Sequence, residues 1–183
     1  MDNKEKLREQ IADSGGNIVY TYSAHWNIVN RLQKVYFWIK VAQIILTATS
    51  SVGIFAMLAA GYPELGWVGG LASATALGLN LYMLNFNPAE DIKKHADAAN
   101  ELWDVREAFK SLSVDFDDLP LQVIREKRDA LNEKLGEINK KYPGTDEKSF
   151  SKAQKEIGKY MFTSGESSKL LNLDRDNIDD KLK

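Results

Sequence analysis

Chemistry needs nucleophiles, acid–base pairs or metal ligands placed together, and this chain is short of most of them. Its 183 residues include no Cys and only two His. That composition excludes a cysteine nucleophile, disulfides and thiolate metal sites, and makes a histidine-rich metal centre unlikely to be assembled. His25 stands beside Trp26 and reads as a packed or solvated side chain. His95 has Asp97 nearby, but neither imidazole has triad or metal-ligand spacing around it. The acidic pairs Asp117-Asp118 and Asp179-Asp180 read as a helix cap and a solvated tail, not as catalytic carboxylates. Gly69-Gly70 lacks the Lys that a phosphate-binding loop requires. No active site can be built from these residues, so no enzyme activity, metal or cofactor is expected. With 24 basic and 26 acidic residues the net charge is −2, and no nucleic-acid partner is expected either.

The polar residues that stand out are Gln43, Asn80 and Asn85, because of the stretch that contains them. Between Val41 and Ala89 the only ionisable charge is Glu64. At the chain's 27% of charged residues, a run of that length would hold about 13. Glu64 divides it into residues 41–63 and 65–89, and each half exceeds the roughly 20 residues a helix needs to cross a bilayer. A helix in a soluble core usually keeps charge on an outer face, and these two keep none. Two transmembrane helices are therefore expected, the alternative being a buried hairpin in a soluble bundle. The first span starts too far into the chain for a cleaved signal peptide.

Loop charges set the orientation. The turn between the spans has no Lys or Arg, whereas Arg31, Lys34 and Lys40 precede the first span and Lys93 and Lys94 follow the second. The positive-inside rule places both termini in the cytoplasm and the turn outside. Tyr62 and Trp67 fall at the outer boundary; Tyr36, Trp38, Tyr82 and Phe86 fall at the inner one, where amphipathic rings prefer to lie.

Small residues recur within the spans. Gly66, Gly70, Ala74 and Gly78 form a ridge on the second helix, and Thr49, Gly53, Ala56 and Ala60 offer a facing one on the first. Close backbone approach holds helices together in lipid, so these ridges either zip the hairpin or serve contacts between copies. Folding the hairpin near residue 63 brings Gln43, Asn80 and Asn85 toward its cytoplasmic end. An amide in hydrocarbon is costly unless paired or wet. These three therefore either lock the hairpin by a hydrogen bond or line a wetted pore mouth in an assembly of several copies.

The flanking segments must hold these spans. Residues 1–17 are polar and end in the loop signature Ser14-Gly15-Gly16-Asn17. Residues 18–40 carry Ala24, Ile28, Leu32 and Val35 on one stripe and predict an amphipathic helix leading into the first span. Residues 90–162 predict cytoplasmic helices. The first has two apolar stripes (Ala98, Leu102, Val105, Phe109 and Leu112; Ile92, Ala96, Ala99 and Trp103), and so touches two neighbours. The next starts at Asp117-Asp118-Leu119-Pro120 and ends at Pro143-Gly144, and a shorter one runs from a Thr145 cap to Phe162. Residues 163–183 predict a flexible polar tail with at most a weak contact at Leu170-Leu171. The fold class is all-α: a two-span hairpin with a long N-terminal helical extension and a C-terminal cytoplasmic bundle, expected to be oligomeric.

The helix YTYSAHWNIVNRLQKVYFWIKVAQIILTATSS, the hairpin, and the segments HADAANELWDVREAFKSL and LQVIREKRDALNEKLGEINKKYPGTDEKSFSKAQKEI together resemble one family. The chain is similar to the SLATT domains, two-transmembrane effectors associated with bacterial nucleotidyltransferases and nucleotide-sensing SLOG proteins. The resemblance covers roughly residues 14–162 and rests on layout and on scattered positions such as Trp26, Arg31, Trp103, Arg106, Arg128 and Pro143. It implies a membrane effector of bacterial anti-phage conflict systems that oligomerises and permeabilises the inner membrane when a partner senses infection. These residues contain no fused sensor, so either a separate nucleotidyltransferase or SLOG-type partner is expected or the chain's own cytoplasmic helices receive the signal. The alternative from another class is a non-conducting membrane scaffold whose cytoplasmic helices recruit a partner.

Overall fold

In a computed structural model, helix α1 runs unbroken from Asn3 to Ala60. It is followed by α2 (Pro63–Phe86), α3 (Pro88–Val114), a 3₁₀ turn (Asp115–Asp117), α4 (Leu121–Lys141), α5 (Glu147–Ile157) and α6 (Arg175–Leu182). The structure describes residues 3–157, 170–172 and 174–182, and among them there is no strand. The chain divides into two compact units, residues 31–92 and residues 1–30 with 93–183. Helix α1 belongs to both.

The polar start of the chain is helical, which corrects the loop expected at residues 14–17. Two glycines inside a helix cost about 1 kcal/mol each relative to Ala, so a compensating need must hold them there. At Gly15 a Cβ would stand 3.0 Å from Phe109 Cβ and collide with Leu171 Cδ1. The position is a close crossing of α1 by α3 and the C-terminal segment, where a Cβ would force Leu171 and Phe109 to shift. On either side of Gly15, Leu7, Ile11, Ala12 and Ile18 enter a core with Leu102, Val105, Phe109, Leu112, Phe116, Ile124, Ile138 and Leu171.

A second cluster unites Val19, Tyr20 and Tyr22 of α1 with Ala99 and Trp103 of α3, Ile157, Leu170 and Ile178. Helix α3 therefore uses both of its apolar stripes, one in each cluster. Arg128, which interrupts the stripe of α4, donates from Nη1 to Gln10 Oε1 at 2.8 Å. Asp117 does not cap α4. It sits in the 3₁₀ turn and accepts from Arg8 Nη2 at 2.6 Å on each carboxylate oxygen, while α4 opens behind Pro120 without a side-chain cap. Likewise Asp146, not Thr145, caps α5, with its Oδ1 accepting from Ser149 N–H at 2.8 Å.

The composition of residues 163–183 predicts a mobile tail, yet Leu170, Leu171 and Ile178 are buried and α6 is formed. Tyr22 Oη donates to Asp179 Oδ1 at 2.5 Å, and Arg175 Nη2 donates to Asn100 Oδ1 at 2.7 Å. Residues 158–169, including Tyr160, Met161 and Phe162, lie outside the described residues.

Candidate functional site: a two-helix membrane hairpin

Residues 31–92 fold back on themselves at a tight reversal. Gly61 adopts φ +71°, a conformation that side chains with a Cβ rarely take, and Tyr62 N–H reaches back to Ala56 O at 3.3 Å. Pro63 then opens α2, where its missing N–H costs no helix bond. At the other end Asn87 takes a left-handed φ of 34° and its N–H caps Met83 O at 3.1 Å, so Pro88 starts a new helix rather than kinking α2.

The two helices meet on small residues. A Cβ on Gly53 would stand 2.7 Å from Leu65 O and 2.9 Å from Gly69 Cα, and one on Gly69 would stand 3.0 Å from Ser50 O. Gly66 leaves room for the Met57 side chain, and Ala72 and Ala76 are buried on the same side of α2. The contact ridge of α2 is thus Gly66, Gly69, Ala72 and Ala76. Of the sequence-derived ridge, only Gly66 and Gly53 lie in this contact. Ala56 is half-buried, Thr49 and Ala60 are exposed, and Ala74 is exposed with Gly70 and Gly78. A Cβ on Gly70 or Gly78 would meet nothing within 4 Å. Adjacent glycines at 69 and 70 support either ridge equally, which is why spacing alone did not find Gly69, Ala72 and Ala76.

Among the amides, Gln43 Nε2 donates to Asn80 Oδ1 at 2.9 Å across the hairpin. Asn85 does not join them; its Nδ2 donates to Leu81 O at 2.8 Å in its own helix. The reversal lies at residues 61–62, slightly before residue 63, and so sets Gln43 opposite Asn80. Hydroxyls are satisfied locally as well: Thr47 donates to Gln43 O, Ser51 to Thr47 O and Thr75 to Leu71 O, at 2.8, 3.0 and 2.9 Å. Such internal pairing is what a helix in hydrocarbon requires of its polar groups.

Outside that seam the hairpin exposes large apolar side chains, among them Phe55 at 70%, Leu58 at 75% and Leu84 at 79%. The most apolar windows have mean hydropathy 1.8 in α1 and 1.2 in Pro63–Asp117, yet only 11% and 17% of each is buried. A helix from a soluble core would be mostly covered by its own protein. An open apolar groove of about 330 Å³ lies along the hairpin, lined by Ala48, Thr49, Val52, Gly53, Leu65 and Val68.

The unit formed by residues 1–30 and 93–183 holds polar groups of a different kind. His25 Nδ1 lies 2.8 Å from His95 Nδ1, with both rings buried. Asn27 Nδ2 donates to Glu156 Oε2 at 3.1 Å and to Ser149 O at 3.3 Å. Arg106 is 1% exposed, pairs with Glu107, donates from Nη2 to Leu170 O at 3.2 Å, and lies 4.5 Å from the Trp103 ring centroid. Burial, and then the hydrogen bond to Asp179, pushes the Tyr22 phenol up. Burial, and then the neighbouring His95, pushes His25 from 6.5 down to about 4. Sequence reasoning missed the imidazole pair, because the two residues are brought together only by the packing of α1 against α3. No group of three or more potential metal ligands occurs among the described residues.

Two apolar helices in a tight antiparallel pair, attached to a charged helical bundle, define an all-α membrane protein of the two-span class. Residues 7–166 match the family model described as SMODS and SLOG-associating 2TM effector domain family 4. The chain belongs to that family, the fourth of the SLATT effector domains. No curated protein and no solved structure matches it.

Proposed function

We propose that this protein is a bacterial membrane effector of an anti-phage conflict system. It oligomerises in the inner membrane and permeabilises it when a separate nucleotide-signalling or SLOG-type partner reports infection. Family membership supports the effector role, and the loop charges support cytoplasmic termini.

One observation carries the assembly step. The hairpin closes on Gly53, Gly66 and Gly69, and leaves Gly70, Ala74 and Gly78 as a second small face with open space before it. In lipid such a face gains most from another helix, since close packing, not water exclusion, drives association there. A single hairpin cannot enclose an aqueous path, so conduction requires several copies around an axis. In that assembly the Gln43–Asn80 pair supplies polar groups toward the cytoplasmic mouth.

Purified protein reconstituted into dye-filled liposomes tests the reading. Wild type, activated by its partner or by high density in the bilayer, should release dye, and Gly70→Leu should not. Protein that assembles, stays tight under every condition and is tolerated on overexpression would indicate a scaffold instead.

A further inference from the structure

The imidazole pair has no part in the hairpin chemistry, and its geometry makes a specific demand on protons. At 2.8 Å the two Nδ1 atoms are within hydrogen-bond distance, so one must carry a proton and donate while the other is bare and accepts. Binding one further proton to the accepting nitrogen removes the acceptor. That is the second proton the neutral pair takes, since a first can sit on the donor ring's far nitrogen and leave the contact intact. Once both are bound, two N–H groups point at each other and two positive charges stand in a buried site, which desolvation and like-charge repulsion both oppose.

We propose that His25 and His95 form a proton-operated clamp between α1 and α3, closed when the pair shares a proton and opened when both rings are protonated. His25 belongs to the same continuous helix as the first membrane span, Asn3–Ala60, and His95 to the helix that follows the second, Pro88–Val114. The signal is thus a fall in pH on the side of the membrane that holds this unit. The clamp concerns this unit alone and does not depend on pore formation.

Within four residues of the pair on its own helices lie Tyr22 on α1 and Asp91, Lys93, Lys94 and Asp97 on α3, while Asp179 and Arg175 on α6 and Glu156 on α5 bond Tyr22, Asn100 and Asn27 of those helices. Tyr22 is held by Asp179, with Arg175 in turn 3.7 Å from Asp179. Glu156 is engaged by Asn27 and by Lys152 at 3.2 Å. The Asp179 and Glu156 carboxylates are therefore committed elsewhere, and what acts on His25 is burial first and His95 second.

The test uses the full chain in lipid nanodiscs. Amide-exchange protection of residues 18–30 and 93–105, corrected for intrinsic rates, is compared at about pH 7 and about pH 4. Wild type should lose at least about tenfold more protection there than the double variant His25→Gln/His95→Gln, a difference equivalent to one pKa unit. Carboxylate titration is common to both proteins and cancels in that comparison. Equal losses in the two proteins would overturn the clamp. Imidazole ¹⁵N spectra of wild type provide the reading should the variant not fold. A shared-proton signal lost in a low, coupled step is expected, and two independent titrations near the ordinary histidine value would refute the proposal.

Discussion

The two units of this molecule solve the same packing problem in opposite ways. The described residues of 1–30 and 93–183 bury large side chains, Tyr20, Tyr22, Phe109 and Phe116 among them, and of their Lys, Arg, Asp and Glu side chains bury only Arg106. Residues 31–92 bury Ser50, Gly53, Gly69, Ala72 and Ala76 and turn Phe55, Leu58, Trp67 and Leu84 outward. The first arrangement gains its stability by removing apolar surface from water. In the second, exposed apolar surface costs nothing in lipid, and backbone proximity provides the attraction. One helix, α1, obeys both rules along its length. The contrast shows that a single 58-residue helix can change solvent without a break in its backbone.

The sharpest way to separate the units is acid. Folding keeps His25 neutral with its value pushed from 6.5 to about 4, so the unfolded chain binds the proton more readily than the folded one. The stability this contributes is complete above the unfolded value and is lost as pH falls from 6.5 toward 4. The loss should be of order 3 kcal/mol, read by denaturant unfolding of the bundle at a series of pH values. Lys141, and then Tyr142, hold the Glu101 carboxyl below its usual range, so its contribution disappears in the same direction but at lower pH. The hairpin has no titrating partner in its seam, and its helix pairing should not follow this curve.

Gly53→Ala tests the hairpin's rule. The new Cβ would press on Leu65 O and the Gly69 backbone, and we expect a loss of about 1 to 3 kcal/mol from overpacking. Gly70→Ala, one position from the seam, meets open space; it should leave hairpin stability unchanged or raise it by up to about 1 kcal/mol through helix propensity. Reversible unfolding in micelles measures both. Equal effects would mean that the seam lies elsewhere.

Smaller effects follow from the polar contacts. Gln43→Leu removes the donor to Asn80 and should cost about 1 kcal/mol of hairpin stability, measured in the same way. Asp117→Asn, at an exposed ion pair whose side chain is 66% accessible, should leave the unfolding midpoint within experimental scatter. A large loss there would show that surface charge holds the bundle, contrary to the core described.

Much of this was legible in the sequence for physical reasons. The near-absence of charge between Val41 and Ala89, with Glu64 alone at the turn, marks the spans because lipid tolerates so little of it, and the 3.6-residue period marks α3 because both its apolar stripes are buried. Gly15-Gly16 signals a loop locally, yet the helix runs through both, and at Gly15 it is crossed closely by α3 and Leu171, which only tertiary packing reveals. On α2 the seam shares Gly66 with the spacing-derived ridge and then uses Gly69, Ala72 and Ala76 in place of Gly70, Ala74 and Gly78, because Gly69 and Gly70 are equivalent until a partner chooses between them. The imidazole pair had no local signature at all: residues 25 and 95 acquire their chemistry only from each other.

The chain's lack of Cys permits a direct test of the two-faced hairpin. Single cysteines placed in turn along α2 from residue 66 to 78 can be oxidised in native membranes and the products sized. The account predicts disulfide-linked dimers from positions 70, 74 and 78, and none from 69, 72 and 76. Crosslinking at the second set, or none anywhere in active protein, would contradict it.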